Sequence, residues 1–306
     1  MDIFRFLIFP GFVFAGLVGL TATWVDRKVT ARLQWRMGPP FLQPFYDIGK
    51  LLTKEVTIPG SADRTTFVLA PMAGLAAAGL VAAILGMSIS ENFSFTGDLI
   101  VVIYLLTIPS LMMMLGGFAS GNILAQVGSS REMKLILSYE LPFLLAIAAI
   151  IFKNGSSLRL NELLAFQRLN GMAIGSISGL LSFLAIILSV QAKLGLPPFD
   201  ISEAETELMA GPLLEYSGLL LAFFRFTKAL LFYSLPLLIV ILFFGGISFS
   251  GWHILTGILK YAGVLFLLVV IKNTNPRVRV DQAMNFFWKR VAPLALAGLI
   301  FALAGL

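Results

Sequence analysis

The chain has no cysteine and only one histidine, His253, in 306 residues. Those absences exclude a disulfide framework, a thiolate nucleophile, cysteine-ligated iron–sulfur clusters, and a zinc or haem site built from this chain alone. Charge is scarce too: 12% of residues are Asp, Glu, Lys or Arg, 58% are hydrophobic, and mean hydropathy is +0.92. That composition is too apolar for a soluble globule and indicates a polytopic membrane protein. The signatures of soluble enzymes are missing: there is no phosphate-binding P-loop, dinucleotide glycine fingerprint, HExxH pair or nucleophile elbow. The net charge of +6 and pI of 9.7 are explained by basic cytoplasmic loops, so no nucleic-acid partner is read from them.

What is present is a series of eight apolar segments, near 3–25, 66–90, 99–121, 135–153, 173–194, 213–243, 252–272 and 289–305. Each is long enough to cross a bilayer core of about 30 Å as a helix. The expected fold is therefore all-α, a single membrane domain over residues 1–306. The first segment follows Met1 without a small-residue cleavage site and reads as a span, not a removable signal. Pro236 and Gly245-Gly246 predict a tilted or broken sixth span. No internal or inverted repeat is visible.

The loops after odd-numbered segments hold Arg27, Lys28, Arg32, Arg36, Lys50, Lys54, Arg64, Arg131, Lys134, Lys193, Lys272, Arg277, Arg279, Lys289 and Arg290. The opposite side has only Arg5, Lys153, Arg159 and Arg168 at its span ends. This asymmetry puts the first set in the cytoplasm and both termini outside, in a multi-pass protein of the cell membrane. In the cytoplasmic loop 26–64, Phe45, Ile48, Leu51 and Leu52 recur at helical spacing opposite Asp47, Lys50 and Lys54. That pattern predicts an amphipathic helix on the membrane surface, after a turn at Gly38-Pro39-Pro40. A weaker helical pattern, Leu160, Leu163, Leu164 and Leu169, lies in the loop at 154–172. Trp24, Trp35, Trp288 and His253 beside Trp252 fit the headgroup level.

The acidic cytoplasmic loop at 195–212 gathers Asp200, Glu203, Glu205 and Glu207, just before Glu215. Pro197 and Pro198 keep its start extended, and Ser202 with Glu205 reads as a capping box that opens a helix. On that helix Glu203 and Glu207 would share a face one turn apart, a repulsion that a purely structural design avoids. Glu132, Glu140, Glu215, Arg225 and Lys228 lie at or inside apolar segments, where an ionisable group is costly. Glu140 and Glu215 read either as an ion or proton relay or as ion pairs with Arg225, Lys228 or a partner chain. Lys193 and Lys228 are candidate counter-cations. The basic run Arg27, Arg32 and Arg36 reads either as an anchor on anionic lipid or as partners for the acidic loop or a docked soluble subunit.

Several stretches together resemble a known family. They are Asp26-Arg27-Lys28 through Gln43-Pro44-Phe45-Tyr46-Asp47 and Lys50-Leu51-Leu52-Thr53-Lys54-Glu55, then Ser138-Tyr139-Glu140, Pro198-Phe199-Asp200 through Glu207, Glu215-Tyr216, and Asn275-Pro276-Arg277-Val278-Arg279-Val280-Asp281-Gln282. Over nearly its whole length the chain resembles the H subunit of NADH-quinone oxidoreductase, which joins the membrane arm of respiratory complex I to its redox arm. The resemblance extends to its counterparts in energy-converting membrane-bound hydrogenases.

Two departures single out a branch. Respiratory members usually read Gly-Pro-Asn at Gly38-Pro39-Pro40, and Phe-Phe-x-x-Glu-Tyr at Phe223-Phe224-Arg225-Phe226-Thr227-Lys228. The missing glutamate and added Lys228 count against a quinone site and resemble archaeal membrane-bound hydrogenases and sulfane reductases.

The resemblance implies a non-redox subunit of a ferredoxin-linked oxidoreductase that binds no cofactor of its own. Its expected partners are soluble subunits carrying iron–sulfur clusters, with a nickel–iron-type site among them, and antiporter-like membrane subunits. By the same resemblance the loops at 26–64, 121–135, 195–212 and 273–288 cradle the redox module, with Arg27, Arg32, Arg36, Asp47, Lys50, Lys54, Arg277 and Arg279 at the docking face. Asp200, Glu203, Glu205 and Glu207 then sense turnover, and Glu215 and Glu140 pass it into the membrane. The alternatives are a quinone-chamber subunit of a respiratory complex I and a stand-alone transporter or passive anchor.

Overall fold

The computed structural model describes residues 2–90, 94–247 and 251–305; the side chains of Asp2, Ile3, Glu205, Thr206 and His253 lie outside that description, and with them the readings placed on Glu205 and His253. The chain begins with helices α1 (Asp2–Leu7), α2 (Phe12–Leu33), α3 (Gln43–Thr53) and α4 (Arg64–Ser90). It continues through α5 (Asp98–Ala119), α6 (Ile123–Lys153), α7 (Leu160–Asn170), α8 (Ile177–Lys193) and the short α9 (Glu205–Leu208). The last helices are α10 (Gly218–Phe244), α11 (His253–Thr274), α12 (Val280–Phe286) and α13 (Ala292–Leu303), with a π turn, Phe287–Val291, joining the final two. No strand occurs among the described residues. Seven stretches are long and apolar enough to cross a membrane, and α8, shorter but apolar, is the eighth expected segment. The protein is an all-helical, polytopic membrane protein.

Helix α10 is the hub. It is buried along almost its whole length, and it packs against α4, α2, α3 and α11. A second group, α6 with α8 and α13, closes beside it. The sixth span, expected to be tilted or broken at Pro236 and Gly245-Gly246, is not broken at the proline: α10 continues through Pro236. Proline has no N–H, so the carbonyl four residues back loses its helical donor. Here the Tyr261 hydroxyl of α11 donates to that carbonyl, on Phe232, at 3.0 Å. The helix stops instead at Gly245, in the left-handed conformation at φ 73°, where Gln167 of α7 satisfies the open end. The Gln167 amide donates to the carbonyls of Ile241 and Leu242 and accepts from the Gly245 N–H, and Lys260 donates to Phe244.

Other boundaries move for physical reasons. Pro10 and Gly11 divide the first segment into α1 and α2. Helix α2 then carries Arg27, Lys28 and Arg32 on its last turns, so the basic run is helical and not a loop. Helix α6 starts at Ile123, well before residue 135, and brings Arg131, Glu132 and Lys134 onto a regular helix. The amphipathic helix of the first loop is α3, with Pro44 in its first turn, docked on α10 and α2. In α7, Leu160, Leu163 and Leu164 are buried while Leu169 faces outward.

Candidate functional site

The acidic loop is held in place by its apolar residues. Leu194, Leu196, Phe199, Ile201, Ala204, Leu208, Leu213 and Tyr216 are all buried, so the segment between α8 and α10 is a wedge in the fold and not a free loop. The Gln191 amide donates to the Pro197 carbonyl at 2.7 Å, and the Val278 N–H donates to the Pro198 carbonyl at 3.1 Å. Phe199 packs on Phe286 and Phe287 at the end of α12, with ring centroids 5.9 and 4.8 Å away. The region 195–201 is thereby clamped to the segment carrying Arg277 and Arg279. Gly211 sits at φ 54°, and a Cβ there would collide with the Ser202 carbonyl; only glycine lets the chain fold back so closely.

With the backbone fixed, the acids diverge. Asp200 meets Arg277 at 2.7 Å, Glu203 meets Lys228 of α10 at 3.0 Å, and Glu207 pairs with Arg131 of α6. The expected capping box does not form. Helix α9 starts at Glu205 with Ala204 at its N-cap, so Glu203 precedes the helix and shares no face with Glu207. Ser202 instead is buried, turned toward the buried Glu132 carboxyl on α6. The like-charge repulsion anticipated between Glu203 and Glu207 is relieved because each of the two has its own cation on a different helix.

Deeper in, Lys193 at the end of α8 has a fully buried side chain whose ammonium lies 2.9 Å from the Glu140 carboxylate. It also stands over the rings of Phe143 and Tyr139, at 4.5 and 5.5 Å from their centroids. The cation of Glu140 is therefore Lys193, not Arg225 or Lys228. Glu215 is met by an amide: it accepts a hydrogen bond from the Asn122 side chain at the start of α6. Of the basic run, Arg27 pairs at 2.7 Å with Asp47 of α3 and not with the acidic loop, while Arg32, Arg36 and Arg279 are exposed. Asp26, buried on α2, is held by Lys272 of α11 at 2.7 Å.

Two cavities adjoin these pairs. The larger, about 560 Å³, lies between α2, α3, α10 and the 195–203 segment, and both the Arg27–Asp47 and Lys272–Asp26 pairs line it. The smaller, about 50 Å³, lies toward α6 and is bordered by Ser110, Glu132, Lys193 and Thr227. Glu203, Lys228, Arg225 and Gly195 border both, so the Glu203–Lys228 pair stands between them. The smaller cavity, with Glu132, Lys193, Glu203 and Lys228 on an otherwise mainly apolar wall, has room for roughly one to three water molecules.

Outside the spans, the electrostatics follow the pairing. Burial pushes the Glu203 carboxyl up, but Lys228 and then Arg225 outweigh it and hold it below its ordinary value. The hydrogen bond and charge of Arg131 lower Glu207. Asp47 is raised by partial burial, yet ends below its ordinary value through Arg27 and Gln43. Asp47, Glu203 and Glu207 are thus set to be charged at neutral pH. Among the described residues no group of carboxylate and imidazole side chains converges as a metal site.

Sequence reasoning named most of these residues without their partners. It counted Arg131 only as a loop charge, and it noted Glu132 without giving it a role. One signal was available: Glu132 and Tyr139 are seven residues apart on one helix face, directly before Glu140.

Comparison with known proteins adds three findings. Residues 6–303 match the family described as NADH dehydrogenase. The NADH-quinone oxidoreductase H subunit of Anoxybacillus flavithermus is 35% identical over 311 residues, covering 96% of this chain and 89% of the relative. The H subunit of the same enzyme from Bacillus mycoides is 35% identical over 302 residues, covering 94% and 88%. Among solved structures, a chain of the membrane-bound sulfane sulfur reductase, an archaeal respiratory membrane complex, superposes with a TM-score of 0.90 at 28% identity, covering 99% of this chain and 100% of that one.

Proposed function

The chain belongs to the NADH dehydrogenase family that includes the H subunit of NADH-quinone oxidoreductase, and on that premise we propose that it couples electron transfer in docked redox subunits to ion movement through the membrane. One observation carries this reading: a line of charged side chains runs from the loop surface into the helix bundle. It passes from Asp200–Arg277 to Glu203–Lys228, across the small cavity to Glu132, and on to Lys193–Glu140. Each acid except Glu132 has its own cation, so a change of charge at one pair shifts which neighbour holds a proton. Turnover in a docked redox subunit perturbs Asp200 and Glu203. Glu203 then exchanges a proton with Glu132 through the small cavity, and the change at Glu132 is felt by the Lys193–Glu140 pair, whose acid lies on the same helix. Glu207 and Glu215 tie the wedge to the start of α6 through Arg131 and Asn122, so they position the line instead of forming links in it.

The partners in this reading are soluble subunits that carry the iron–sulfur clusters and antiporter-like subunits beside the bundle, in the cell membrane. The termini lie outside, and Arg32, Arg36 and Arg279 meet the redox module in the cytoplasm. The electron acceptor is that of the hydrogenase or sulfane reductase branch. Support comes from the superposition over the full length of the sulfane reductase chain and from Lys228, which occupies the ion pair with Glu203. The name of the curated relatives and the 560 Å³ cavity favour a second reading, a quinone-chamber subunit. The test is to isolate the native complex in mild detergent, supply reduced ferredoxin, and assay hydrogen, polysulfide and a quinone analogue. Hydrogen evolution or sulfur reduction supports the first reading; quinone reduction blocked by quinone-site inhibitors replaces it with the second.

A further inference from the structure

The larger cavity has an unbalanced charge. Four carboxylates line it, Asp26, Asp47, Asp200 and Glu203, and each is engaged by one cation of its own: Lys272, Arg27, Arg277 and Lys228. Three further cations line the same space, Lys50 and Lys54 on either side of the end of α3 and Arg225 on α10, and among the described residues none of them forms an ion pair. Three like charges around one space repel each other, and the arrangement gains most from an anion placed among them. The walls are otherwise apolar, with Leu20, Leu51, Leu221 and Phe232 from three helices. A volume of about 560 Å³ is that of a small-ligand site, enough for a polar headgroup and the first part of its chains.

The position of the cavity indicates the source of the anion. It is walled on one side by α3, whose outward residues Tyr46 and Leu52, with the preceding Phe41 and Leu42, are exposed apolar side chains. An amphipathic helix of that kind lies at the headgroup level of a bilayer. We infer that the cavity binds the phosphate headgroup of an anionic membrane lipid, held by Lys50, Lys54 and Arg225 with its chains against the apolar wall. Arginine and lysine are suited to this: the guanidinium fork meets phosphate oxygens in pairs, and the ammonium groups act as mobile point charges. A neutral headgroup would leave Lys50 and Lys54 without a counter-charge and Arg225 sharing Glu203 and Asp47 with the cations already paired to them. The inference concerns binding alone and does not depend on whether the carboxylate line moves ions.

The test uses the purified native complex and spin-labelled phosphatidylglycerol or phosphatidylcholine in matched detergent micelles, reading the motionally restricted lipid. The wild-type complex should restrict phosphatidylglycerol in preference to phosphatidylcholine. At about fivefold per cation removed, the K50A/K54A double variant should weaken that binding roughly twenty-five-fold, and R225A should weaken it about fivefold. The K289A/R290A variant removes two exposed charges from outside the cavity, as many as K50A/K54A, and should bind as wild type does. All five positions are exposed, so folding is not at risk. Equal restriction of the two lipids, or equal loss in K289A/R290A and K50A/K54A, would overturn the site. Displacement of the labelled lipid by excess inorganic phosphate would overturn the lipid as its source.

Discussion

The Lys193–Glu140 pair separates a structural role from a relay role, because stability and coupling respond differently to its removal. The Lys193 side chain is fully buried and that of Glu140 is 20% exposed, with 2.9 Å between the charged atoms. Removing one partner of a buried pair costs about 3–5 kcal/mol, since the other charge stays uncompensated. Glu140→Gln strands the more deeply buried charge and should cost about 3–5 kcal/mol. Lys193→Met leaves a carboxylate that retains some solvent or takes up a proton, and it also loses the stacking on Phe143 and Tyr139, so about 2–3 kcal/mol is expected. The double variant carries neither charge, and an apolar replacement of a buried pair is often close to neutral. Its cost should fall to about 1 kcal/mol or less, an interaction energy of several kcal/mol in the cycle. The assay has two parts: denaturant unfolding of the purified complex, and ion uptake per electron in proteoliposomes. Stability should recover in the double variant while coupling stays lost in all three. Costs that simply add across the cycle would refute the pairing, and recovery of coupling along with stability would refute the relay.

Acid sensitivity should depend on Lys228. The folded Glu203 carboxyl lies below its ordinary value of 4.5, so its contribution to stability is present above that ordinary value and is lost as pH falls through the lowered one. In Lys228→Ala burial is left without its main counterweight, and acid unfolding should begin at higher pH than in wild type; an unchanged acid midpoint refutes the assignment. Gly211→Ala forces a left-handed φ on a residue with a Cβ and drives it into the Ser202 carbonyl. The expected cost is about 2 kcal/mol or more, seen as reduced yield of folded complex, and wild-type yield would contradict the close approach. Gln167→Ala leaves the buried carbonyls at the end of α10 without donors, a loss of about 1–3 kcal/mol measurable by unfolding. A change below about 0.5 kcal/mol would show that the cap is dispensable.

The eight apolar segments were legible because hydrophobic length is a local property, and the amphipathic α3 was legible because its period is. Boundaries were lost where charge runs on along a regular helix. Arg131 and Lys134 read as loop because they are costly in lipid, yet α6 holds them with Glu132 at regular spacing, where Arg131 meets Glu207 and Glu132 lies beside Ser202. Pro236 read as a break because the sequence does not reveal the Tyr261 hydroxyl that replaces its missing donor. The same limit applies to the site. Its acids stand out as a cluster, but Glu140 and Lys193 are 53 residues apart and Asp200 and Arg277 are 77 apart, so which cation each acid takes is fixed only by packing. The capping box failed because the buried side chains around Ser202 turn the chain inward, so that Ser202 lies toward Glu132 and Ala204 takes the N-cap of α9.

In the proposed path, charge moves from the loop pair Glu203–Lys228 to the pair in the bundle by way of Glu132. Glu132→Gln keeps the shape and the possibility of a hydrogen bond with Ser202 while removing the titrating group. The decisive measurement is ions translocated per electron by that variant complex in proteoliposomes, with electron flow recorded in the same vesicles. Continued electron flow with a sharply reduced ratio is the expected result. Translocation at the wild-type ratio would contradict the path.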